Sequence, residues 1–322
     1  AGDSDLKAAG LAEGRANPGR VHGPKEMAFT AVVDDGGNDG SERGLERAAE
    51  LRGGRFIDDE LGGANIHTFL AIDKPRHSLT DLLEKKLPKV DLIVDSGIRN
   101  LGLLVGAINS LAPDGIKYTQ KLKLFRHIKS LHADYILIDL GAGAHFNTID
   151  TFLLADKKLV VIVPEITAIE NMYFFLKNAF FRKLMITLGS HGLKDVVQNT
   201  WKNRGEYNIA NLNQLIGYLK SLSKTMENIV NQELSDFRNY IVLNRITSSQ
   251  EITIGSSVKS ICKKYFGLDG SYVGYIEYDP IIPRCINKRQ PYMQAYSASR
   301  CAKEIERLTE NILNGKDVRT RN

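Results

Sequence analysis

The stretch from Ala133 to Gly143, with the sequence ADYILIDLGAG, constrains the fold of this chain more than any other. Its apolar and aromatic run, Tyr135–Ile138, is typical of a strand that is buried on both faces of a parallel sheet. Asp139 follows at the carboxyl end, where open α/β sheets bind their ligands. Asp139 is therefore a candidate residue for holding Mg²⁺ through water in a nucleotide site. Gly141 and Gly143 are candidate residues of a loop that approaches phosphate. The alternative is an ordinary strand that ends in a turn aspartate.

Composition excludes several classes of protein. With 322 residues, of which 43% are hydrophobic and 25% charged, the chain is long enough to bury one large core. No apolar run approaches the ~20 residues that span a bilayer, and no stretch resembles a signal peptide, so a cytoplasmic location is expected. The cysteines lack metal-ligand spacing, which argues against zinc or iron–sulfur sites and fits a reducing compartment. The net charge of +5 does not demand nucleic acid.

The first 55 residues differ in composition from the rest. They contain no Ile, Tyr or Trp, and they carry 8 basic and 10 acidic residues, against 35 and 28 in residues 56–322. One interpretation is a disordered tail, because such a composition buries too little apolar surface to offset chain entropy. The other is a segment foreign to the body, such as a shifted reading frame. The predicted organisation is an atypical leader at 1–55, one domain at 56–312 and a polar tail at 313–322.

Strand and helix patterns alternate through the body. The predicted strands are Arg55–Asp59, Leu92–Val94, Leu101–Val105, Tyr135–Asp139, Leu159–Val163, Tyr240–Leu243 and Tyr272–Ile276. The predicted helices are Ser78–Lys86, Thr119–Leu131, Thr148–Leu154, Thr167 to about Leu184, Ser256–Phe266 and Ser297–Ile312. Residues 190–237 are polar and are expected to be a helical insertion. The alternation predicts an α/β fold with a doubly wound, mostly parallel sheet in a single domain.

Local signals predict where some helices begin and end. Thr167 and Glu170 match the T-x-x-E capping box, which predicts that the long helix starts there. Gly267 is a suitable C′ residue for the helix that precedes it. The aromatic run at 173–181 is predicted to pack in the core rather than to form a partner groove. In the last helix, one face is predicted to be buried through Ala298, Cys301, Ala302, Ile305, Leu308 and Ile312.

A second acidic cluster lies at Phe56–Leu70, FIDDELGGANIHTFL. Three acids, Asp58, Asp59 and Glu60, follow two apolar residues, and a Gly-Gly turn precedes Asn65. In a phosphate site, such acids orient Mg²⁺ or an attacking water. The alternative is a capped helix start after an acidic turn.

These segments together resemble the MinD/ParA family of P-loop ATPases over roughly residues 56–312. The segments that carry the resemblance are DDELGGANIHTFL, DYILIDLGAGAHFNTID, LVVIVPEITAIENMYFFLKNAFFRK, YIVLNRI and YVGYIEYDPIIPRCINKRQPYMQAYSAS. The chain is most similar to the FlhG (YlxH) branch, which sets flagellar number and position. The resemblance implies a P-loop NTPase-like fold, ATP with Mg²⁺, a nucleotide-dependent homodimer that hydrolysis releases, and a flagellar-placement partner protein.

The resemblance also implies a role for each matching residue. The implied catalytic residues are Asp58, Glu60 and Asn65, the magnesium residue is Asp139, and the nucleotide-contacting residues are Gly141, Gly143, Asn244, Arg245, Asp279 and Pro280. Glu60 departs from the family, which has Asp at this position to orient the hydrolytic water. An extra methylene moves the carboxylate by about a bond length, and such a misplacement can cost ~100-fold in rate.

The phosphate loop of the family, Lys-Gly-Gly-x-Gly-Lys-Ser/Thr, is missing from the sequence. It is expected near residues 20–35, which instead contain RVHGPKEMAFTAVVDD, and no Gly-Lys-Ser/Thr occurs elsewhere. Since the loss falls within the atypical leader, the leader is predicted to replace the first strand, loop and helix of the domain. ATP hydrolysis is therefore implied by the resemblance but is not expected of this chain as written.

Two alternative functions remain at this point. One is a non-hydrolysing scaffold that keeps the partner surface but has lost the phosphate loop, and the other is a chromosome or plasmid partition ATPase. The predicted helix Thr119–Leu131 is basic, yet a solvated face is a commoner reason for such charge than contact with DNA. The tail after Ile312 is polar and has no apolar face, which argues against membrane contact.

Overall fold

The computed structural model describes residues 27–34, 54–58, 66–73, 77, 93–99, 101–106, 122–124, 126, 135–140 and 143–318. The strands in these ranges are β1 (Met27–Asp34), β2 (Gly54–Asp58), β3 (Ile93–Asp95), β4 (Leu101–Leu104), β5 (Tyr135–Leu140), β6 (Lys157–Ile162), β7 (Asn239–Ile246) and β8 (Gly270–Glu277). They form a single sheet in the order β3-β4-β2-β5-β1-β6-β7-β8. The predicted strands are confirmed to within a few residues at their ends. β1 lies inside the leader and was not among them.

Most of the described strands run in the same direction. β2 is parallel to β4 and β5, and β6, β7 and β8 are parallel to one another. β1 is antiparallel to both β5 and β6, so those two strands are parallel to each other, and β3 is antiparallel to β4. The prediction of a mostly parallel sheet is therefore confirmed, with β1 and β3 as its reversed strands.

The described helices cover both faces of this sheet. They are α1 (Ile66–Phe69), α2 (Phe146–Leu154), α3 (Ile166–Ser190), α4 (Lys194–Lys202), α5 (Leu212–Leu222), α6 (Lys224–Asp236), α7 (Ser249–Ile252), α8 (Ile254–Ile261), α9 (Ile281–Asn287), α10 (Tyr292–Ala295) and α11 (Arg300–Asn314). A π-helical turn, Cys262–Phe266, continues α8. Helices α4 to α6 confirm that residues 190–237 are helical. Residues 122–124 and 126 are helical, and the predicted helix Ser78–Lys86 lies outside the described residues.

Apolar side chains on the two faces of the sheet form two separate clusters. Successive residues of a strand point to opposite faces. Val160 and Ile162 of β6 pack in the larger cluster with Phe152 and other residues of α2 and α3. Leu159 packs in the smaller cluster, which contains Leu308 and other residues of α11. Burial on both faces confirms the doubly wound arrangement.

The capping box predicted at Thr167 is wrong. Helix α3 begins at Ile166 after the N-cap residue Glu165, which makes no side-chain capping bond. Thr167 therefore lies inside the first turn, where its hydroxyl cannot cap the helix. A capping box occurs instead at Ser248, whose backbone N–H donates to the carboxylate of Glu251 at 3.3 Å. The T-x-x-E spacing does not by itself show which residue leaves the helical conformation.

The predicted burial of the last helix is largely confirmed, but the helix begins at Arg300, three residues later than predicted. The hydroxyl of Ser299 accepts a hydrogen bond from Ala302 N at 3.0 Å, so α11 starts at Arg300 and Ala298 is exposed. The helix buries Cys301, Ala302, Leu308 and Ile312, and Ile305 is half-buried. Its side chains also cover the edge strand β8, because Asn311 Nδ2 donates to Val273 O at 2.8 Å. Such cover protects an edge strand from pairing with another chain.

Gly267 ends the α8 segment as predicted. Its φ of +66° lies in the left-handed region, and its backbone N–H donates to Lys263 O at 3.0 Å. A side chain at this position is disfavoured by the backbone conformation, which is why glycine is common after the last helical residue.

Lys158 of β6 is a buried lysine. Only 4% of the residue is exposed, and its Nζ donates to Ala155 O at 2.6 Å. Burial, assisted by the nearby charge of Lys183, lowers the pKa of Lys158 from 10.5 to about 8. Between these two pH values, the unfolded chain binds more protons at this site than the folded protein. The free energy of unfolding therefore rises with pH in that interval.

We predict that this pH dependence is lost in Lys158→Met. We compare the free energies of unfolding of the wild type and the variant. The difference between them is expected to increase, in favour of the wild type, by up to about 3 kcal/mol from pH 8 to 10.5, since each pKa unit corresponds to 1.36 kcal/mol. Urea unfolding at a series of pH values measures it. Lys194→Met, at an exposed site, is the control and should follow the wild type. Parallel profiles for wild type and Lys158→Met would contradict the assignment.

Candidate functional site

Two acidic positions meet at the carboxyl edge of the sheet. Asp58, the last residue of β2, pairs in register with Asp139 of β5. The two strands are parallel, so both positions lie at the edge where doubly wound sheets bind ligands. Asp139 is half-buried. The structure thus brings together the positions predicted for a catalytic acid and for the magnesium-binding acid. Glu60, Asn65 and Gly141 lie outside the described residues.

Gly143 shapes the loop between β5 and α2. Its φ of +109° lies in a region that residues with side chains rarely adopt. A β-carbon there would stand 3.4 Å from Cδ2 of His145, the residue before α2. The loop that leaves the acidic edge therefore depends on glycine at this position.

The end of β7 contains the second predicted contact region. Arg245 has a φ of +59°, and its backbone N–H donates to Asn244 Oδ1 at 2.9 Å. Its guanidinium lies 5.7 Å from the ring centre of Tyr278. Left-handed backbone at residues other than glycine is uncommon and often occurs at functional sites. The asparagine side chain therefore stabilises a strained irregularity near the carboxyl end of β7, where the pairing with β8 shifts register between Leu243 and Ile246.

Asp279 anchors the segment that follows β8. Its Oδ1 accepts a hydrogen bond from Ile281 N at 2.8 Å, and its Oδ2 accepts one from the Tyr292 hydroxyl at 2.5 Å. That hydroxyl is also 2.9 Å from Ser299 Oγ, which caps α11. Desolvation, together with the bond to Asp279, raises the pKa of Tyr292. The carboxylate thus connects α9, which follows its N-cap residue Pro280, with α10 and α11.

Sequence reasoning missed Tyr292 and Ser299 as the partners of Asp279. Seven residues separate Tyr292 from Ser299, and thirteen separate Tyr292 from Asp279. Asp279 lies before α9, Tyr292 in α10 and Ser299 before α11, so no single helix or strand contains them and only the fold brings them together.

The chemistry of the acidic edge fits Mg²⁺. Within the described ranges, no group of three or more His, Cys, Asp or Glu residues is arranged to hold a metal ion. Magnesium in nucleotide sites is commonly held by one or two carboxylates, with phosphate oxygens and water supplying the other ligands. Asp139, with the neighbouring position of Asp58, provides that type of ligand.

β1 runs in the opposite direction to the strand that would lead into a phosphate loop at this edge. Thr30 pairs with Asp139 and Asp34 with Tyr135, so β1 ends at the amino edge of β5. β2 begins at the same edge, since its Arg55 pairs with Ile136. In a strand–loop–helix phosphate site, the loop follows a strand that ends at the carboxyl edge. β1 ends at the opposite edge and does not lead into such a loop beside Asp139.

Comparison with known proteins gives the class of fold. No family model and no curated protein matches this sequence. A chain from the MinC:MinD cell division protein complex of Aquifex aeolicus is 19% identical, with 90% of this chain and 96% of that chain covered and a TM-score of 0.52. The cell division ATPase MinD of Pyrococcus furiosus is 20% identical, with 83% and 87% covered and a TM-score of 0.49. A ParA family ATPase of Chlorobium tepidum is 15% identical, with 87% and 96% covered and a TM-score of 0.49.

The molecule is therefore a doubly wound α/β protein. More particularly, its fold is that of the MinD/ParA ATPases, an assignment that rests on the Aquifex aeolicus chain. Within the ranges that the structure describes, no helix is long and apolar enough to cross a membrane.

Proposed function

We propose that this chain is a MinD/ParA-like ATP-binding protein that dimerises when it binds ATP with Mg²⁺. The observation that carries the proposal is the register of Asp58 with Asp139 at the carboxyl edge of the sheet. Gly143 lies in the loop that follows β5. Asn244 and Arg245, near the carboxyl end of β7, and Asp279, which follows β8, lie at the same edge of the sheet, where an adenine base would lie. Asp139 would hold Mg²⁺ through water, and Mg²⁺ would neutralise phosphate charge.

Exposed apolar side chains at this edge support the dimer. Phe146 and Ile166 are the first residues of α2 and α3, which follow β5 and β6, and they are 70% and 55% exposed. Apolar groups of this size at the rim of a polar site are typical of surfaces that a partner covers. A second copy of the chain, facing the first across the nucleotide, would bury them.

The cellular role we propose is the spatial positioning of flagella or of another polar structure, as in the FlhG branch. The sequence segments that resemble this branch support it. The similar Aquifex aeolicus chain comes from a complex of MinD with MinC, which supports the idea that a protein of this fold acts through a partner. The partner proposed here is a flagellar-placement protein.

The direction of β1 favours a second candidate function. Because β1 ends at the edge opposite Asp139, it leaves the proposed nucleotide site without a phosphate loop from that strand. A non-hydrolysing scaffold that binds partners through the same fold fits this geometry. The two candidates differ in whether this chain binds nucleotide.

Nucleotide binding by the full chain tests the proposal. A fluorescent ATP analogue is expected to bind in the presence of Mg²⁺, and Asp139→Ala is expected to weaken binding at least tenfold and to remove its dependence on Mg²⁺. The control is Asp195→Ala, which removes an exposed aspartate in the first turn of α4. Fluorescence anisotropy measures the affinity, and sedimentation with and without nucleotide measures dimerisation.

The other outcomes separate the alternatives. Absence of binding at millimolar nucleotide would favour the scaffold. Binding that is equally strong in Asp139→Ala would contradict the assignment of this carboxylate. Salt-sensitive binding to random DNA would favour a partition ATPase, because contacts with phosphates weaken as ionic strength rises.

A further inference from the structure

A cationic groove lies at the amino edge of the sheet, opposite the proposed nucleotide site. α5, α6, α8 and the loop before β8 border it, and its volume is about 740 Å³. Among the residues that the structure describes, four cations line it, Lys220, Arg238, Lys259 and Lys263, with one acid, Asp269. We call it the amino-edge groove.

Acidic side chains neutralise only half of these cations. Lys263 pairs with Asp269 at 2.6 Å, and Lys259 pairs with Asp317. Lys220 and Arg238 have no ion pair with any residue that the structure describes. Lys220 interacts electrostatically with Glu227 but forms no ion pair with it. The charges of Lys220 and Arg238 therefore lie without a direct acidic partner in a concave surface, which concentrates their field and attracts anions.

A buried amide lies against one wall of the same groove. Asn239 is 1% exposed, and neither its Oδ1 nor its Nδ2 has a partner among the described residues. It pairs in register with Gly270, which lines the groove. A β-carbon on Gly270 would stand 2.6 Å from Asn239 Oδ1, so no side chain separates the amide from the wall. Buried polar groups almost always have a hydrogen-bond partner, so an unpaired amide here points to a missing ligand or water.

We propose that the amino-edge groove binds a small molecule that carries phosphate groups. Arg238 can present paired N–H donors to two phosphate oxygens, and Lys220, which lines the same groove, supplies a compact charge. Ser235, Asn231 and Ser271 also line the groove and provide neutral donors for the rest of the ligand. The volume lies in the range of about 300–1,000 Å³ that is usual for small-molecule sites.

This site is separate from the one proposed for ATP. Asn239 and Gly270 are the first residues of β7 and β8, whereas Asn244 and Glu277 lie near their carboxyl ends. The inference therefore does not depend on nucleotide binding, and the two fail independently. A ligand in the groove would contact α5 and α6, which belong to the helical segment between β6 and β7.

Calorimetric titration of the full chain with inorganic pyrophosphate tests the inference. Lys220→Ala/Arg238→Ala is expected to weaken binding at least tenfold. The matched control, Lys194→Ala/Lys202→Ala, removes two exposed charges from α4 and should bind as the wild type does. Asp139→Ala separates the two sites: pyrophosphate that bound at the carboxyl edge would be lost, whereas binding that needs Lys220 and Arg238 would remain.

Three results would overturn the inference. The first is that the wild type does not bind pyrophosphate. The second is that both double variants lose affinity for pyrophosphate equally. The third is that only Asp139→Ala loses affinity for it. Duplex DNA and vesicles of phosphatidylglycerol serve as further probes. Binding of either that needs Lys220 and Arg238, without binding of pyrophosphate, would replace the small molecule with a macromolecular surface. If the alanine variant fails to unfold cooperatively, Lys220→Gln/Arg238→Gln takes its place.

Discussion

A chimera in which a strand, a Lys-Gly-Gly-x-Gly-Lys-Thr loop and a helix replace residues 1–53 is expected to hydrolyse ATP at least about 100-fold faster than the chain as it stands. A single preorganised donor contributes about 10²–10³ to kcat, and a phosphate loop supplies several backbone N–H groups and a lysine. The chain as it stands is expected to show no appreciable hydrolysis. Phosphate release at saturating Mg²⁺–ATP measures the difference.

The position of β1 in the sheet explains why this replacement should work. β1 lies between β5 and β6, and it runs opposite to both. A strand that filled the same place in the parallel direction would end next to Asp139. The loop after it would then lie over the acidic edge, and its helix would return the chain to the amino edge, where β2 begins at Gly54. The described strands β2 to β8 need no change of order or direction to accept it.

Two controls make the result specific. Alanine in place of the last loop lysine, and Asp139→Ala in the chimera, should each return hydrolysis to the level of the original chain. A chimera that unfolds cooperatively but does not hydrolyse ATP would contradict the proposal that the body carries the rest of the site. Hydrolysis by the original chain would contradict the inference that its leader lacks a phosphate loop.

The strands of the body could be predicted from sequence because each is a short apolar run bounded by turns. Leu159–Val163 and Tyr240–Leu243 are examples, and the structure has β6 and β7 at these places. The direction of a strand could not be predicted in this way, since the same apolar residues form a parallel or an antiparallel strand equally well. Met27–Asp34 shows this, because its place between β5 and β6 depends on pairing with both neighbours and not on its own pattern.

The candidate site was predictable only in part. Asp139 is recognisable because a buried strand runs directly into it, and its register with Asp58 follows once the strands are parallel. The hydrogen bonds of Asp279 to Ile281 and Tyr292 depend on how α9 and α10 pack after β8. Burial of Glu304, whose carboxylate accepts a hydrogen bond from Glu277 N at 2.9 Å, likewise follows from tertiary packing and carries no local signal.

A cluster of aromatic side chains joins α2 and α3 to each other and to Phe237, the residue that follows α6. The ring centres of Phe152 and Phe175 are 4.9 Å apart, and those of Phe180 and Phe237 are 5.2 Å apart, both edge to face. Phe152 also lies 6.4 Å from Phe237, which links the two pairs. The prediction that the aromatic run packs in the core is therefore confirmed for Phe175 and Phe180, which are buried. Phe174 is 54% exposed and does not belong to the core.

Phe180→Ala is expected to lower the free energy of unfolding by about 3–5 kcal/mol, because it removes a fully buried ring and leaves a cavity. Phe174→Ala is the matched control on the same helix, and it should cost no more than about 1 kcal/mol, mainly through its contact with Lys177 at 5.3 Å. Urea unfolding of the full chain measures both. Equal losses would contradict the cluster as the anchor of α2.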